Sequence, residues 1–261
     1  MKEPIIQVKN LVAAYDDRVI LDGINLDIFP GESIIILGRS GCGKSTLLRH
    51  MIGLDQPNSG QILIKGKDIT RISEEEKLKI LKNVGMLFQS AALFNSMTVA
   101  DNVAFPLRIH TDLKEKVIQI MLKMKLQLVG LLGFENFKPS QLSGGMKKRA
   151  GLARAIIMDP EILFCDEPSA GLDPVVAAGL DRLILKLKKA FKMTIVVVTH
   201  ELESVFTIAD RIAMMHEGKI ITVGARDELK KNPNPIVQQF LRRQPDEEEI
   251  DREKYLRSIV G

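Results

Sequence analysis

The stretch Gly38-Arg39-Ser40-Gly41-Cys42-Gly43-Lys44-Ser45-Thr46 constrains the fold of this chain more than any other. It follows the apolar run Ile34 to Leu37 and opens a helical pattern, Leu47 to Ile52, which makes a strand, a glycine loop and a helix in succession. The spacing G-x-x-x-x-G-K-[ST] suits phosphate, because glycines let backbone N–H groups close around its oxygens. Lys44 can reach the β- and γ-phosphates, the Ser45 hydroxyl can coordinate Mg²⁺, and the helix N-terminus adds its partial positive charge. A dinucleotide-binding G-x-G-x-x-G does not fit, since Thr46 stands where its third glycine belongs.

At 261 residues and 45% hydrophobic content the chain can bury a substantial core. Its 37 basic and 33 acidic residues are dispersed, so the net charge of +4 gives no ground for a nucleic-acid partner. No apolar run approaches the roughly 18 residues of a membrane span, and Met-Lys-Glu-Pro is no signal-peptide start. The expectation is a chain that neither spans a membrane nor is secreted. Cys42 and Cys165 form no disulfide framework and no metal pattern, as expected of reduced cytoplasmic thiols. Beside Lys44 and a helix start, the Cys42 thiolate is expected to be favoured.

Ahead of the loop, Ile5 to Val12 and Ile24 to Ile28 read as strands of a small antiparallel layer, with Tyr15 positioned to stack on a nucleotide base. Gln61 to Ile64 returns as a strand after a Pro57-Asn58-Ser59-Gly60 turn, and Ser73 with Glu76 has capping-box spacing. Val84 to Phe88 reads as a buried strand ending at Gln89. From there a helical subdomain is expected over about 90–158, between the two parts of a core at 1–89 and 159–243. Within it Val117, Met121, Met124 and Leu128 recur at helical spacing, which predicts a buried stripe. Ile162 to Cys165 and Ile195 to Thr199 are continuous apolar runs of the central-strand kind. Asp173-Pro174 caps the intervening helix, whose stripe is Val176, Leu180, Leu183, Ile184 and Leu187. Strands alternating with helices predict an α/β fold with a mainly parallel sheet.

Ligands of such sheets bind beyond the carboxyl ends of the strands, where Gln89, Asp166-Glu167 and His200 all stand. Asp166 can hold Mg²⁺ with Ser45, and Glu167 can act as base for a water attacking the γ-phosphate, which His200 is placed to contact. Leu142-Ser143-Gly144-Gly145-Met146 precedes another helix and leaves backbone N–H groups uncovered at its start, a second anion site.

Taken together, Gly38 to Ser45, Gln89, Leu142 to Met146, Asp166-Glu167, Asp173 and His200 resemble the ATP-binding subunit of ABC transporters over about residues 5–243. That resemblance implies the ABC-ATPase form of the P-loop fold and a head-to-tail homodimer with two ATP molecules sandwiched between subunits. Leu142 to Met146 would be the signature completing the partner's ATP site. Gln89 would join Ser45 and Asp166 at the metal and sense the γ-phosphate, and Asp173 would span the dimer interface. A groove beside Gln89 would receive a helix of an integral-membrane permease, with Leu93, Phe94 and Met97 as contact candidates, and the chain would sit on the cytoplasmic face of the inner membrane.

A finer similarity is to the Mla/MCE lipid-trafficking branch, carried by Gln89 to Phe94, Met97 to Val103, Ser143 to Arg154 and, in the tail, Asn232 to Pro235 with Gln239 to Leu241. It implies an MCE-domain protein and a small accessory subunit as further partners. It also implies a C-terminal extension, 244–261, that reaches the neighbouring ATPase. Soluble relatives acting on nucleic acid or the ribosome carry long insertions or two ATPase units in one chain, which this sequence lacks. Importers of other solutes and lipoprotein or drug exporters remain the alternative on cargo.

Overall fold

Apolar runs without polar alternation must be buried on both faces, and here they build the centre of the molecule. In the computed structural model, which describes residues 3–16 and 18–245, these runs become β3 (Ser33–Gly38), β7 (Ile162–Asp166) and β8 (Thr194–Thr199). They lie beside β6 (Val84–Leu87) and β9 (Arg211–His216) as parallel neighbours. The antiparallel edge strand β10 (Lys219–Ala225) completes a sheet ordered β10-β9-β3-β8-β7-β6. The glycine-loop strand therefore sits between β8 and β9. The β9–β10 hairpin, turning through Glu217-Gly218 at positive φ, has no counterpart in the strand pattern read from the sequence.

Alternation along β3 divides the core in two. Ile35 and Leu37 join one cluster, and Ile34 and Ile36 join the other. The second cluster is closed by α1 (Lys44–Met51) and an antiparallel sheet ordered β2-β1-β4-β5, from β1 (Ile6–Tyr15), β2 (Arg18–Ile28), β4 (Ser59–Ile64) and β5 (Lys67–Asp68). β1 and β2 run longer than their apolar runs because the hairpin between them extends to Tyr15 and Arg18. α2 (Glu74–Leu81) begins in the expected capping box, with Ser73 Oγ accepting from Glu76 N–H.

The first cluster takes helices α3 (Val99–His110), α4 (Glu115–Val129), α5 (Gly144–Ala155), α6 (Pro174–Phe191) and α7 (Leu202–Ile208). α8 (Arg226–Lys231) and α9 (Pro235–Leu241) add Leu229 and Val237 to it. Buried Asn102 in α3 pins the preceding turn: its side chain accepts from Phe94 N–H and donates to the carbonyls of Phe94, Met97 and Thr98.

The stripe expected on α4 is corrected. Val117, Met124 and Leu128 are exposed and Met121 half-buried, whereas Ile118, Leu122, Leu126 and Val129 are buried. Both sets have helical spacing, offset by one residue, and the branched and Leu set packs inward together with the stem of Lys125. The Lys125 ammonium pairs with Asp159 and lies 4.4 Å from the centre of the Phe191 ring. The α6 stripe stands as expected, with Leu180, Leu183, Ile184 and Leu187 buried and Val176 half-buried. The C-terminal extension lies outside the described residues from 246 onward. No described helix is long and apolar enough to cross a membrane.

Candidate active site

The glycine loop turns between β3 and α1, and its glycines are dictated by close backbone approach. A Cβ on Gly38 would lie 2.5 Å from the Met215 carbonyl oxygen, and Gly43, at φ 100°, would meet Ile20 O at 2.9 Å. Lys44 is buried and donates to the carbonyls of Gly38 and Arg39, each at 2.9 Å, so its ammonium is held inside the loop it serves. A cleft here is lined by Tyr15, Arg18, Ile20, Gly41, Gly43, Lys44, Ser45 and Thr46. Ser40 and Arg39 border a second hollow with His200.

Tyr15 closes one side of the cleft with its ring half exposed. Its hydroxyl donates to Asp55 Oδ2 at 3.0 Å, and Arg49 clamps both oxygens of Asp55 at 2.7 and 2.9 Å. The Arg49 guanidinium is the main cause holding the Asp55 carboxyl at about 2. Burial, then the Asp55 bond, pushes the Tyr15 phenol up, so it stays a donor. Asp55 and Arg49 are site residues the sequence did not flag, since a Leu-Asp-Gln turn and a helical Arg are commonplace.

Opposite the loop, the strand order brings the polar strand ends together. β8 ends at Thr199-His200, β7 at Asp166-Glu167 and β6 just before Gln89. Ser45 Oγ donates to Asp166 Oδ1 at 3.2 Å. Burial holds the Asp166 carboxyl above its ordinary range, against the Ser45 bond, which lowers it. A hydroxyl and a carboxylate oxygen so placed are the hard donors Mg²⁺ takes, with its other positions left to phosphate and water. Among the described residues no three His, Cys, Asp or Glu side chains gather into a closed metal cage.

Glu167 is buried and adopts φ 45°, the left-handed region. His200 Nδ1 lies 2.8 Å from its Oε1, and Thr199 Oγ1 donates to Oε2 at 3.2 Å. The imidazole meets the carboxylate through Nδ1, on a half-exposed ring. Gln89 has an exposed side chain and is anchored by its carbonyl, which accepts from Lys148 Nζ at 2.5 Å. Lys148 also donates to Glu167 O at 3.0 Å. Thr199 and Lys148 went unread in the sequence: a strand threonine and a helical lysine carry no local sign of these contacts.

The second glycine segment opens α5. Ser143 caps it, accepting from Met146 N–H at 3.3 Å, and Leu142 is buried behind while Ser143 and Gly144 are exposed. Gly144 and Gly145 back onto Leu172 and Val176: a Cβ on Gly145 would lie 2.5 Å from Val176 Cγ1. Asp173 stands in the same neighbourhood, exposed, its Oδ1 capping α6 through Val175 and Val176 N–H at 3.1 and 3.0 Å.

The expectation for Cys42 is corrected. Its sulfur is buried in the second core cluster, and a Cβ on Gly38 would meet it at 2.7 Å. Burial pushes the thiol up and outweighs Lys44, which lowers it.

The ABC transporter family pattern matches residues 21–170, more than half of the chain. This chain belongs to the ABC transporter family. It is an ABC ATPase, a class that binds and hydrolyses ATP as dimers paired with a membrane permease. It is 44% identical over 246 residues, 94% of this chain and 93% of the relative, to the "Intermembrane phospholipid transport system ATP-binding protein MlaF" of Haemophilus influenzae. It is 45% identical over 236 residues, 90% of this chain and 68% of the relative, to the "Probable ribonucleotide transport ATP-binding protein mkl" of Mycobacterium leprae. Among solved structures, a dimeric post-hydrolysis state of the ATP-binding cassette MJ0796 bound to ADP and Pi superposes with TM-score 0.78. It is 30% identical and spans 84% of this chain and 98% of its own. CbiO1 of Clostridium perfringens superposes at 0.81 with 31% identity, over 98% and 100%.

Proposed function

We propose that this ABC ATPase is the energy-coupling subunit of a phospholipid transporter, working on the cytoplasmic face of the inner membrane. The observation that carries the cargo is the end-to-end similarity to a phospholipid transport ATP-binding protein, which spans 93% of that relative. A ribonucleotide cargo, named for the mycobacterial relatives, rests on a similarity that spans 68% of the relative.

In this reading the loop from Gly38 to Thr46 cradles the phosphates and Tyr15 takes the base. Ser45, Asp166 and Gln89 would hold Mg²⁺, which would supply charge neutralisation to the phosphates. Glu167 accepts a proton from the attacking water, and His200 contacts the γ-phosphate. The segment Leu142 to Met146 completes the site of a second copy, with Asp173 at the interface of the homodimer. The helices over 90–158 act as a signature subdomain attached to a core at 1–89 and 159–243.

An apolar groove beside Gln89 supports the permease contact. Phe88, Phe94, Phe105 and Met158 line it, and Phe94 is 44% exposed. Leu93, by contrast, packs against the core, which narrows the three contact candidates to Phe94 and Met97. An MCE-domain protein and a small accessory subunit complete the proposed assembly.

Purification from native membranes followed by reconstitution tests the proposal. The membrane protein that copurifies should move fluorescent phospholipid between liposomes only with ATP and wild-type Glu167. ATP-dependent movement of a nucleotide and not of lipid would overturn the cargo.

A further inference from the structure

The helix that opens with the signature segment also grips the catalytic strand ends of its own subunit. Lys148, one turn into α5, is 6% exposed, and its ammonium donates to Gln89 O at 2.5 Å and Glu167 O at 3.0 Å. Two turns on, Arg154 donates to Ala92 O and Ala91 O, each at 2.8 Å. Ala91 and Ala92 have φ of 61° and 46°, and Glu167 has 45°, so three of the four carbonyls these cations hold belong to residues in a sparsely populated backbone conformation.

Burying an ammonium is costly unless its hydrogen bonds are met, and an apolar side chain of the same length would fill the space at lower cost. Burial pushes the Lys148 ammonium down from its ordinary range, and Asp166 and Glu167 are among the groups that oppose the shift. What the cation supplies is geometry. A left-handed residue keeps its conformation only where its surroundings over-determine it. The Glu167 carboxylate is fixed at its tip by His200 and Thr199, and its main chain is fixed by Val198 O on one side and Lys148 on the other.

We propose that Lys148 is a positioning residue for hydrolysis: its ammonium clamps the Glu167 and Gln89 main chains together, and so holds the base and the γ-phosphate sensor in register. The proposal rests on the roles given to Glu167 and Gln89 above. It assigns Lys148 no contact with nucleotide, so its loss should leave ATP binding intact and slow the chemical step.

The test is steady-state ATPase of the full chain with nucleotide affinity and melting temperature measured in parallel, for wild type, Lys148→Met, Lys148→Arg and Glu167→Gln. Lys148→Met keeps length and burial and removes the donors. It should lower kcat at least tenfold with ATP affinity within about twofold of wild type, because the loss is of alignment and not of phosphate contacts. Lys148→Arg, whose guanidinium can serve two carbonyls, should recover a third or more of kcat. Unchanged kcat in Lys148→Met would overturn the clamp. So would a chain that fails to fold, or a loss of kcat matched by loss of affinity with no rescue by arginine, since either makes Lys148 a structural tie. Glu167→Gln separates the two levels: if it turns over normally, the base assignment fails, whatever the Lys148 variants do.

Discussion

Two helices of this ABC ATPase begin on uncovered backbone amides, and they differ in what the chain itself sets in front of them. α1 opens into a cleft equipped with a buried lysine, a serine bonded to Asp166 and a tyrosine tethered through Asp55. α5 opens on exposed Ser143 and Gly144, with Leu142, Leu172 and Val176 behind. Both starts favour an anion by the same physics. Only α1 brings the further groups that would bind a nucleotide tightly, so α1 makes a site and α5 half of one. That asymmetry is the physical reason for proposing a head-to-tail pair of copies.

The contrast is sharpest when chemistry is removed while both helix starts are left alone. Glu167→Gln should cut steady-state ATP hydrolysis about a thousandfold while preserving ATP affinity, as expected when a general base is lost. ATP should then hold the two copies closed, visible as a dimer by sizing with light scattering. Turnover near wild type would remove Glu167 from the mechanism.

Changing one helix start at a time should then give opposite signatures. Lys44→Ala takes a charged donor from the complete site and should weaken ATP binding to the isolated subunit about a hundredfold. Ser143→Arg fills the exposed start of α5 and should leave that binding alone, yet lower turnover on the order of a hundredfold by blocking a donor aimed at transferring phosphate. Fluorescent-nucleotide titration beside an ATPase assay separates the two. Equal loss of binding in both variants would break the distinction between site and half-site.

The smallest effect tests the tether of the complete site. Asp55→Asn leaves Tyr15 a weaker partner and should raise KM for ATP about threefold with kcat unchanged. Arg49 holds Asp55 near 2, so the tether is fully present above the ordinary carboxylate value of about 4 and is lost only as pH falls through about 2. The KM ratio of variant to wild type should accordingly stay flat from pH 6 to 9; a ratio that changes there would deny Asp55 this role.

Much of the site was legible in the sequence because its chemistry sits on strand ends. An apolar run that stops at Asp166-Glu167 or His200 announces both a buried strand and the end at which parallel sheets take their ligands. Parallel pairing then brings those points together, as the alignment of Leu37 with Thr199 and of Leu87 with Cys165 does here. What stayed hidden depends on contacts distant in sequence. Lys148 looks like any helical lysine until the carbonyls of Gln89 and Glu167 close on it. Cys42 lies two residues from Lys44 in sequence, but its sulfur faces the core and burial dominates. On α4 two apolar stripes compete one residue apart, and only the packing of Ile118, Leu122 and Leu126 against the sheet cluster decides between them. The β9–β10 hairpin escaped because Glu217, a poor turn signal, takes the left-handed conformation beside Gly218.

The central claim, that a working site joins α1 of one copy to α5 of another, is tested most directly by mixing two inactive chains. Lys44→Ala spoils every site through its own loop, and Ser143→Arg spoils every site through the opposing helix. Combined in equal amounts, mixed pairs hold one doubly damaged site and one site with both parts wild type. ATPase activity of the mixture should rise well above that of either variant alone and scale with the fraction of mixed pairs. Activity that stays at the level of the separate variants, with mixed pairs demonstrably formed, would contradict the account.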